Sequence, residues 1–342
     1  MSSESSVASL NARPLMRVEN LTLEFPSRSR GASIVRAIDD VSIDIAEGEI
    51  IGLVGESGSG KTTLGKTLLG MYSASAGHIW YEGIDLATAD ARSLKPHRRD
   101  LQMVFQDPLS SFNPRFRIGD SMAVPLRLHH ICRGKALEAE VGRLLERVGL
   151  SADHARRFPH ELSGGQLQRV AIARVLGIGP KLIVADEAVS KLDVSIRAQI
   201  LNLLKAINRD IGVSLVFITH DLSVARFLCN RIAVMYFGRI VELGSTESIF
   251  SDAMHPYTRR LLEARRANQP HDPADDVTGP VTASGSVDRF AGCNYRDRCS
   301  VRISRCDRER PGLEGPSNER RFACFNPRGH QEDPAPALAM AR

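Results

Sequence analysis

Gly55-Glu56-Ser57-Gly58-Ser59-Gly60-Lys61-Thr62-Thr63, GESGSGKTT, lies between the apolar run Glu49-Ile50-Ile51-Gly52-Leu53-Val54 and the segment Leu64-Gly65-Lys66-Thr67-Leu68-Leu69. Strand, glycine-rich turn and helix in that order make a phosphate-binding loop. The glycines at 55, 58 and 60 let successive backbone N–H groups point inward, and the helix that follows turns the positive end of its dipole to the same point. Lys61 adds a cation for terminal phosphates, and Thr62 an oxygen for a magnesium ion.

Outward from this loop, composition sets the frame. The 342 residues allow one large domain with an appendage, or two domains, and 42% hydrophobic with 25% charged residues is ordinary for a soluble chain. The first residues, MSSESSVASLNARPL, hold no apolar signal-peptide core, and no run reaches the ~18 apolar residues of a membrane span. A cytoplasmic chain, or one docked on a membrane through a partner, is expected. The net charge of +5 is matched by ten arginines against five carboxylates between Arg289 and Arg328, so the basic excess is confined to one segment and does not argue for nucleic acid. The six cysteines are expected as reduced thiols or ligands, with Cys132 and Cys229 isolated as packing or surface residues.

Along the chain, residues 1–14 read as disordered. Short strands follow at Leu15–Phe25, Ile34–Ile45 and Glu49–Val54. Phe25 is either a platform for a base or a core or edge aromatic. A further strand spans Gly77–Tyr81, and Arg98–Val104 leads to Gln106, which has the reach of a metal or water ligand and equally of a turn cap. Ile118 to about Gly149 is helical, with Leu137, Val141, Leu144, Leu145 and Val148 on one face. Leu162-Ser163-Gly164-Gly165-Gln166 opens another helix and forms a second anion-binding cap, unexpected beside the first. The apolar strand Leu182-Ile183-Val184-Ala185 ends in Asp186-Glu187, suited to hold magnesium and to accept a proton from water. Ser190-Lys191-Leu192-Asp193 precedes a helix from about Ile196 to Asp210. Ser214–Thr219 is a buried strand delivering His220-Asp221, the fourth functional-looking group at a strand's C-terminal end, where open parallel sheets bind ligands. Arg231–Tyr236 and Arg239–Leu243 form a hairpin, and His255-Pro256-Tyr257-Thr258 starts the last helix, to about Ala264. Residues 265–290 read as linker, 291–326 as a four-cysteine module and 327–342 as a tail.

Taken together, GESGSGKT, Gln106, LSGGQ at 162–166, LIVADE at 182–187, SKLD at 190–193 and His220 resemble the ATP-binding subunit of an ABC transporter over about residues 15–264. The resemblance implies an α/β P-loop NTPase of ABC type with an antiparallel β subdomain, a helical insertion at about 107–177, and a small Cys-containing C-terminal module. It implies ATP and Mg2+ as ligands. The phosphates would lie on Gly55, Glu56, Ser57, Gly58, Ser59, Gly60, Lys61, Thr62 and Thr63, the adenine on Phe25, and the magnesium on Thr62, Gln106 and Asp186. Glu187 would polarise water and His220 hold the γ-phosphate. Ser163, Gly164, Gly165 and Gln166 would serve the nucleotide of a second cassette, and Asp193 would touch that partner. Two transmembrane permease subunits and an extracytoplasmic solute-binding protein complete the implied assembly on the cytoplasmic face of the inner membrane, with no nucleic acid.

DPLSSFNP at 107–114 and HPYTRRLLEA at 255–264 look like the oligopeptide/dipeptide importer branch, which also takes up nickel. A soluble, non-transport ABC ATPase is the alternative from another class, and a cassette that senses redox state or iron through its cysteines is a third. Cys293, Cys299, Cys306 and Cys324 resemble segments that hold a [4Fe-4S] cluster in some members, leaving that cluster, zinc and no metal open. Ala188, Thr62, Leu167 and Lys191 depart from the usual motif residues, and only Lys191 places a new charge near the expected partner. None removes a catalytic group.

Overall fold

A computed structural model describes residues 14–26, 34–266, 292–317 and 320–329. Most of the expected disordered N terminus, linker and tail lies outside the described residues. The strands are β1 (Met16–Pro26), β2 (Ile34–Ile45), β3 (Ile50–Val54), β4 (Ala76–Tyr81), β5 (Ile84–Asp85), β6 (Leu101–Val104), β7 (Leu182–Asp186), β8 (Ser214–Thr219), β9 (Arg231–Tyr236), β10 (Arg239–Ser245), β11 (Glu314–Ser317) and β12 (Arg320–Phe322). The helices are α1 (Lys61–Leu68), α2 (Ala91–Leu94), α3 (Ile118–Leu128), α4 (Lys135–Arg147), α5 (Gly164–Leu176), α6 (Val194–Ile211), α7 (Leu222–Leu228), α8 (Thr246–Ser251), α9 (Pro256–Arg266) and α10 (Arg305–Arg308).

Two sheets result. One is antiparallel, in the order β2-β1-β4-β5, and the other runs β11-β12-β10-β9-β3-β8-β7-β6. Within the larger sheet, β9-β3-β8-β7-β6 are parallel and the remaining three strands pair antiparallel at one side. The parallel strands read as continuous apolar runs because both of their faces are covered. Since successive side chains point to opposite faces, each strand feeds two cores. Ile51 and Leu53 of β3 and Val216 and Ile218 of β8 meet the antiparallel sheet in one core. Ile50, Val54, Leu215 and Phe217 face the helical layer in the other. α1 is wedged into the first core through Leu64 and Leu68.

The helical layer is built on the amphipathic spacing visible in the sequence: Ile118, Met122 and Leu126 of α3 meet Val141, Leu144 and Leu145 of α4 and Val170 of α5. α5 approaches α6 closely enough that a Cβ at Gly165 would lie 2.4 Å from Ile196 Cγ2, so glycine is required there for contact rather than for a turn. α6 begins at Asp193, whose carboxylate accepts the Ile196 N–H at 2.9 Å.

The four-cysteine segment does not stand apart from the domain. β12 pairs with β10 through Glu242↔Phe322, Leu243↔Arg321 and Gly244↔Arg320, and so extends the main sheet. Tyr295 sits 5.2 Å from Tyr236 and 5.5 Å from Tyr257, ring centre to ring centre, and belongs to the helix-side core. The start of α9 is fixed by the buried carboxylate of Glu242, which accepts the N–H groups of Met254 at 2.7 Å and His255 at 3.0 Å. Burial drives the His255 imidazole down to about 3, so the ring is neutral and its Nδ1 accepts the Tyr257 N–H at 3.1 Å. Strands β5, β11 and β12 and helices α7 and α8 were not legible from periodicity, being two to seven residues long.

Phe217 is fully buried on the central β8. Phe217→Ala is expected to lower unfolding free energy by about 3–5 kcal/mol, measured by urea denaturation, with little change if the ring were peripheral.

Candidate active site

The C-terminal ends of the parallel strands converge on one cleft of about 430 Å³, lined by the loop after β3, by Gln106 after β6, by Glu187 after β7, by Val35 and Arg36 of β2 and by Phe237-Gly238. This is the position at which open parallel sheets receive ligands. Phe237 and Gly238 form the two-residue turn between β9 and β10, with φ of 43° and 79° at the two residues, as tight hairpins demand. The turn braces the phosphate loop: the Gly238 N–H donates to Ser59 O at 2.9 Å, and the Asp39 N–H donates to Gly238 O at 3.0 Å. Gly60, with φ of 99°, passes so near β2 that a Cβ would lie 2.4 Å from Ala37 O. Any side chain there would push the loop off its support.

Lys61 is the electrostatic centre. Its ammonium donates to Gly55 O at 2.8 Å, Glu56 O at 2.7 Å and Ser59 Oγ at 3.2 Å, using all three protons on loop oxygens. Burial pushes its pKa down to about 8, against the opposing pull of Glu187, Asp186 and Glu56. A buried cation held by neutral loop oxygens at the head of a helix is suited to receive a polyanion. Thr62, one residue on, donates its hydroxyl to Asp186 Oδ1 at 2.8 Å, joining the loop to the end of β7. Burial raises the Asp186 carboxyl above its usual range, and the Thr62 bond opposes that rise.

Glu187 follows immediately in the left-handed region at φ 44°, a conformation that costs a non-glycine residue roughly 1 kcal/mol or more. Its N–H is held by Ile218 O at 3.0 Å. The result is a carboxylate turned into the cleft, with Gln106 Nε2 donating to Oε2 at 2.7 Å and His220 Nδ1 at 3.2 Å from Oε1. Gln106, Glu187 and His220 come from the ends of three adjacent parallel strands, β6, β7 and β8. The donor set of Thr62, Asp186 and Gln106, all oxygen-bearing and beside a polyanion receptor, suits Mg2+.

Other residues fall elsewhere. Ser163, Gly164, Gly165 and Gln166 do not line the cleft. They form a capping box at the head of α5, in which Ser163 Oγ accepts the Gln166 N–H at 3.3 Å and Gln166 Oε1 accepts the Ser163 N–H at 3.0 Å. Ser163 and Gly164 are exposed. Asp193 is likewise exposed at the head of α6. Phe25 packs edge-on against Tyr72 at 5.5 Å and is not among the described residues lining the cleft, where the aromatic is Phe237 instead. Arg36, Phe237 and Gly238 were missed as site residues. The two-residue gap between apolar runs marks the hairpin in the sequence, but nothing local marks its contact with Ser59.

Cys293, Cys299, Cys306 and Cys324 converge, each close enough to Cys306 or to one another to feel the others' charge, and burial raises the thiols of Cys293, Cys299 and Cys324. The Cys293 N–H donates to Cys306 O at 2.8 Å, tying the two cysteine turns together. No three of the thiols are within 4.8 Å of one another; among the described residues only Glu82, His97 and Asp100 form so close a group. That group is already served by Lys181, whose ammonium pairs with Glu82 and lies 3.5 Å from Asp100.

Residues 38–190 match the family described as ABC transporter. Residues 241–306 match the family described as Oligopeptide/dipeptide transporter, C-terminal region. The chain is 49% identical over 265 residues to the glutathione import ATP-binding protein GsiA of Escherichia coli (strain K12), an alignment covering 76% of this chain and 42% of that protein. It is 44% identical over 286 residues to GsiA of Pectobacterium atrosepticum, covering 80% and 46%. The chain thus spans less than half the length of these relatives. Among solved structures, the ATP-binding cassette MJ0796, dimeric in a post-hydrolysis state with ADP and Pi, superposes with a TM-score of 0.62 at 30% identity over 68% of this chain and 98% of that one. The cassette cbiO1 from Clostridium perfringens shares the fold at a TM-score of 0.61 and 24% identity, over 75% of this chain and 94% of that one. With this cleft, this sheet order and a cassette matched over nearly its whole length, the chain belongs to the ATP-binding cassette family of ABC transporters and carries the C-terminal region of the oligopeptide/dipeptide branch.

Proposed function

We propose that this chain binds and hydrolyses ATP as one of two cassettes that energise an importer of peptides. The observation that carries the reading is the grouping of Gln106 and His220 around the Glu187 carboxylate, in the cleft that the buried Lys61 also lines. Lys61 exchanges its bonds to Gly55, Glu56 and Ser59 for bonds to the β- and γ-phosphates, while the N–H groups of the loop face the same oxygens. Thr62 and Gln106 hold magnesium, with Asp186 behind them. The metal supplies charge neutralisation at the phosphates. Glu187, held by Gln106 and beside His220, accepts a proton from the attacking water, and His220 reaches the γ-phosphate. Phosphoryl transfer asks the protein for positioning and charge stabilisation, and these groups provide both.

The position of the Ser163–Gln166 cap outside the cleft supports a two-cassette arrangement, in which the helix head of one chain completes the nucleotide site of the other. Asp193, exposed at the head of α6, would face the same partner. Phe25 remains the proposed adenine contact by resemblance, at the edge of β1. Exposed Leu109, Phe116, Val124 and Leu128 follow Gln106 in the chain and support a contact with a membrane-embedded permease on this face. A peripheral position at the cytoplasmic face of the membrane follows, with a solute-binding protein outside; among the described residues no helix is long and apolar enough to cross a membrane. Peptide cargo is supported by the oligopeptide/dipeptide C-terminal match and by the import of glutathione, a tripeptide, in the relatives' names.

For the four cysteines we propose a [4Fe-4S] cluster. Four convergent thiols meet its donor count. No three of them lie within 4.8 Å of one another, whereas four ~2.3 Å zinc bonds set a sulfur spacing of ~3.8 Å.

Glu187→Gln is expected to retain MgATP binding while phosphate release falls about 10²–10⁴-fold, and release at the wild-type rate would remove Glu187 from the chemistry. Lys61→Ala is expected to lose binding itself, read by calorimetry. Anaerobically purified chain should carry about four iron and four sulfide per chain with visible absorption; a colourless, iron-free protein would exclude the cluster.

A further inference from the structure

Two arginines of the cysteine segment pair with carboxylates, Glu56 and Asp39, that stand directly behind residues lining the cleft. Arg298, beside Cys299, places Nη1 3.3 Å from Glu56 Oε2, and both side chains are about four-fifths buried, at 21% and 20% exposure. Glu56 is the second residue of the phosphate loop, and its backbone N–H donates to Tyr257 Oη at 3.0 Å. Tyr257 is buried against Tyr236 at 4.7 Å and Tyr295 at 5.5 Å, so the loop's entry is gripped at both its backbone and its side chain.

On the other wall, Arg310 Nη1 is 3.0 Å from Asp39 Oδ2. The other oxygen of Asp39 accepts from Nη1 of Arg36, a cleft residue, at 3.1 Å. The Asp39 N–H reaches Gly238 O, and the Gly238 N–H reaches Ser59 O, so this path also ends on the phosphate loop. Because Cys293 and Cys306 are hydrogen-bonded to each other, Arg298 and Arg310 are carried by one tied unit.

We propose that Arg298 and Arg310 are positioning residues for nucleotide binding, and that the cysteine segment is a buttress holding the phosphate loop and the β2 wall in the shape that receives ATP. The proposal rests on the reading of this cleft as the ATP site. Neither arginine lines the cleft. Each acts through a loop or strand residue, so its loss weakens ground-state and transition-state binding alike and appears in KM rather than in kcat.

The test uses the full chain, with MgATP binding by calorimetry and steady-state hydrolysis. Arg298→Ala is expected to raise Kd and KM about ten-fold, the scale of one charge-assisted hydrogen bond, with kcat changed less than about three-fold. Arg298→Lys should recover part of the loss. Arg298→Ala combined with Glu56→Ala should cost less than the sum of the two single losses, since the two side chains share a contact. Arg310→Ala should move Kd in the same direction, while Arg308→Ala, an exposed arginine of the same segment, should leave it unchanged. If Arg298→Ala does not fold, Glu56→Gln and Arg310→Ala read the same ties. Folded Arg298→Ala and Arg310→Ala proteins with wild-type Kd and KM would overturn the proposal, as would an equal loss in Arg308→Ala, which would indicate a general charge effect. Wild-type chain that neither binds nor hydrolyses MgATP would instead remove the reading of the cleft on which the proposal stands.

Discussion

The structure is organised around a cation placed where water cannot fully solvate it. Lys61 is buried at the head of α1 and uses its three protons on Gly55, Glu56 and Ser59. A buried ammonium is costly unless negative charge or oxygen surrounds it. The loop supplies oxygens, and the strand ends supply Asp186 and Glu187. Every neighbouring feature serves that placement: Gly60 lets the loop lie against β2, the Phe237-Gly238 turn braces it, and Thr62 ties it to β7. Under the proposed function, a polyphosphate would replace these internal partners with a stronger one.

The parallel order β9-β3-β8-β7-β6 then explains why residues distant in sequence meet. β3 delivers the loop, β6 delivers Gln106, β7 delivers Asp186 and Glu187, and β8 delivers His220, all at the same sheet end. Glu187 takes a left-handed backbone conformation and lines the cleft, a departure from local preference of the kind that clusters at functional sites.

Much of this was legible in the sequence because the phosphate loop, the Ser163–Gln166 cap and the strand ending in Asp186-Glu187 are local patterns with local physics. The two-faced burial of β3, β7 and β8 was legible too, as uninterrupted apolar runs. What was not legible depends on contacts between distant segments. Arg36 reads as an ordinary strand residue until Asp39 and the β9–β10 turn are placed beside it. Phe237 has no local mark separating it from Phe25 as the cleft's aromatic. The cysteine segment reads as an appendage because its composition shifts, whereas the pairing of β12 with β10 makes it the edge of the main sheet. Three- and four-residue strands carry too little periodicity to announce such pairing.

The most direct test of the central claim is the proton uptake on MgATP binding, read by calorimetry near pH 8 in buffers of different ionisation enthalpy. Lys61 sits near half-protonation there, at about 8, and an arriving polyanion favours its charged form. The account predicts net uptake of a fraction of a proton, with affinity falling as pH rises through that value. Binding with no uptake, or with proton release, would contradict the placement of Lys61 as the buried receptor for the phosphates.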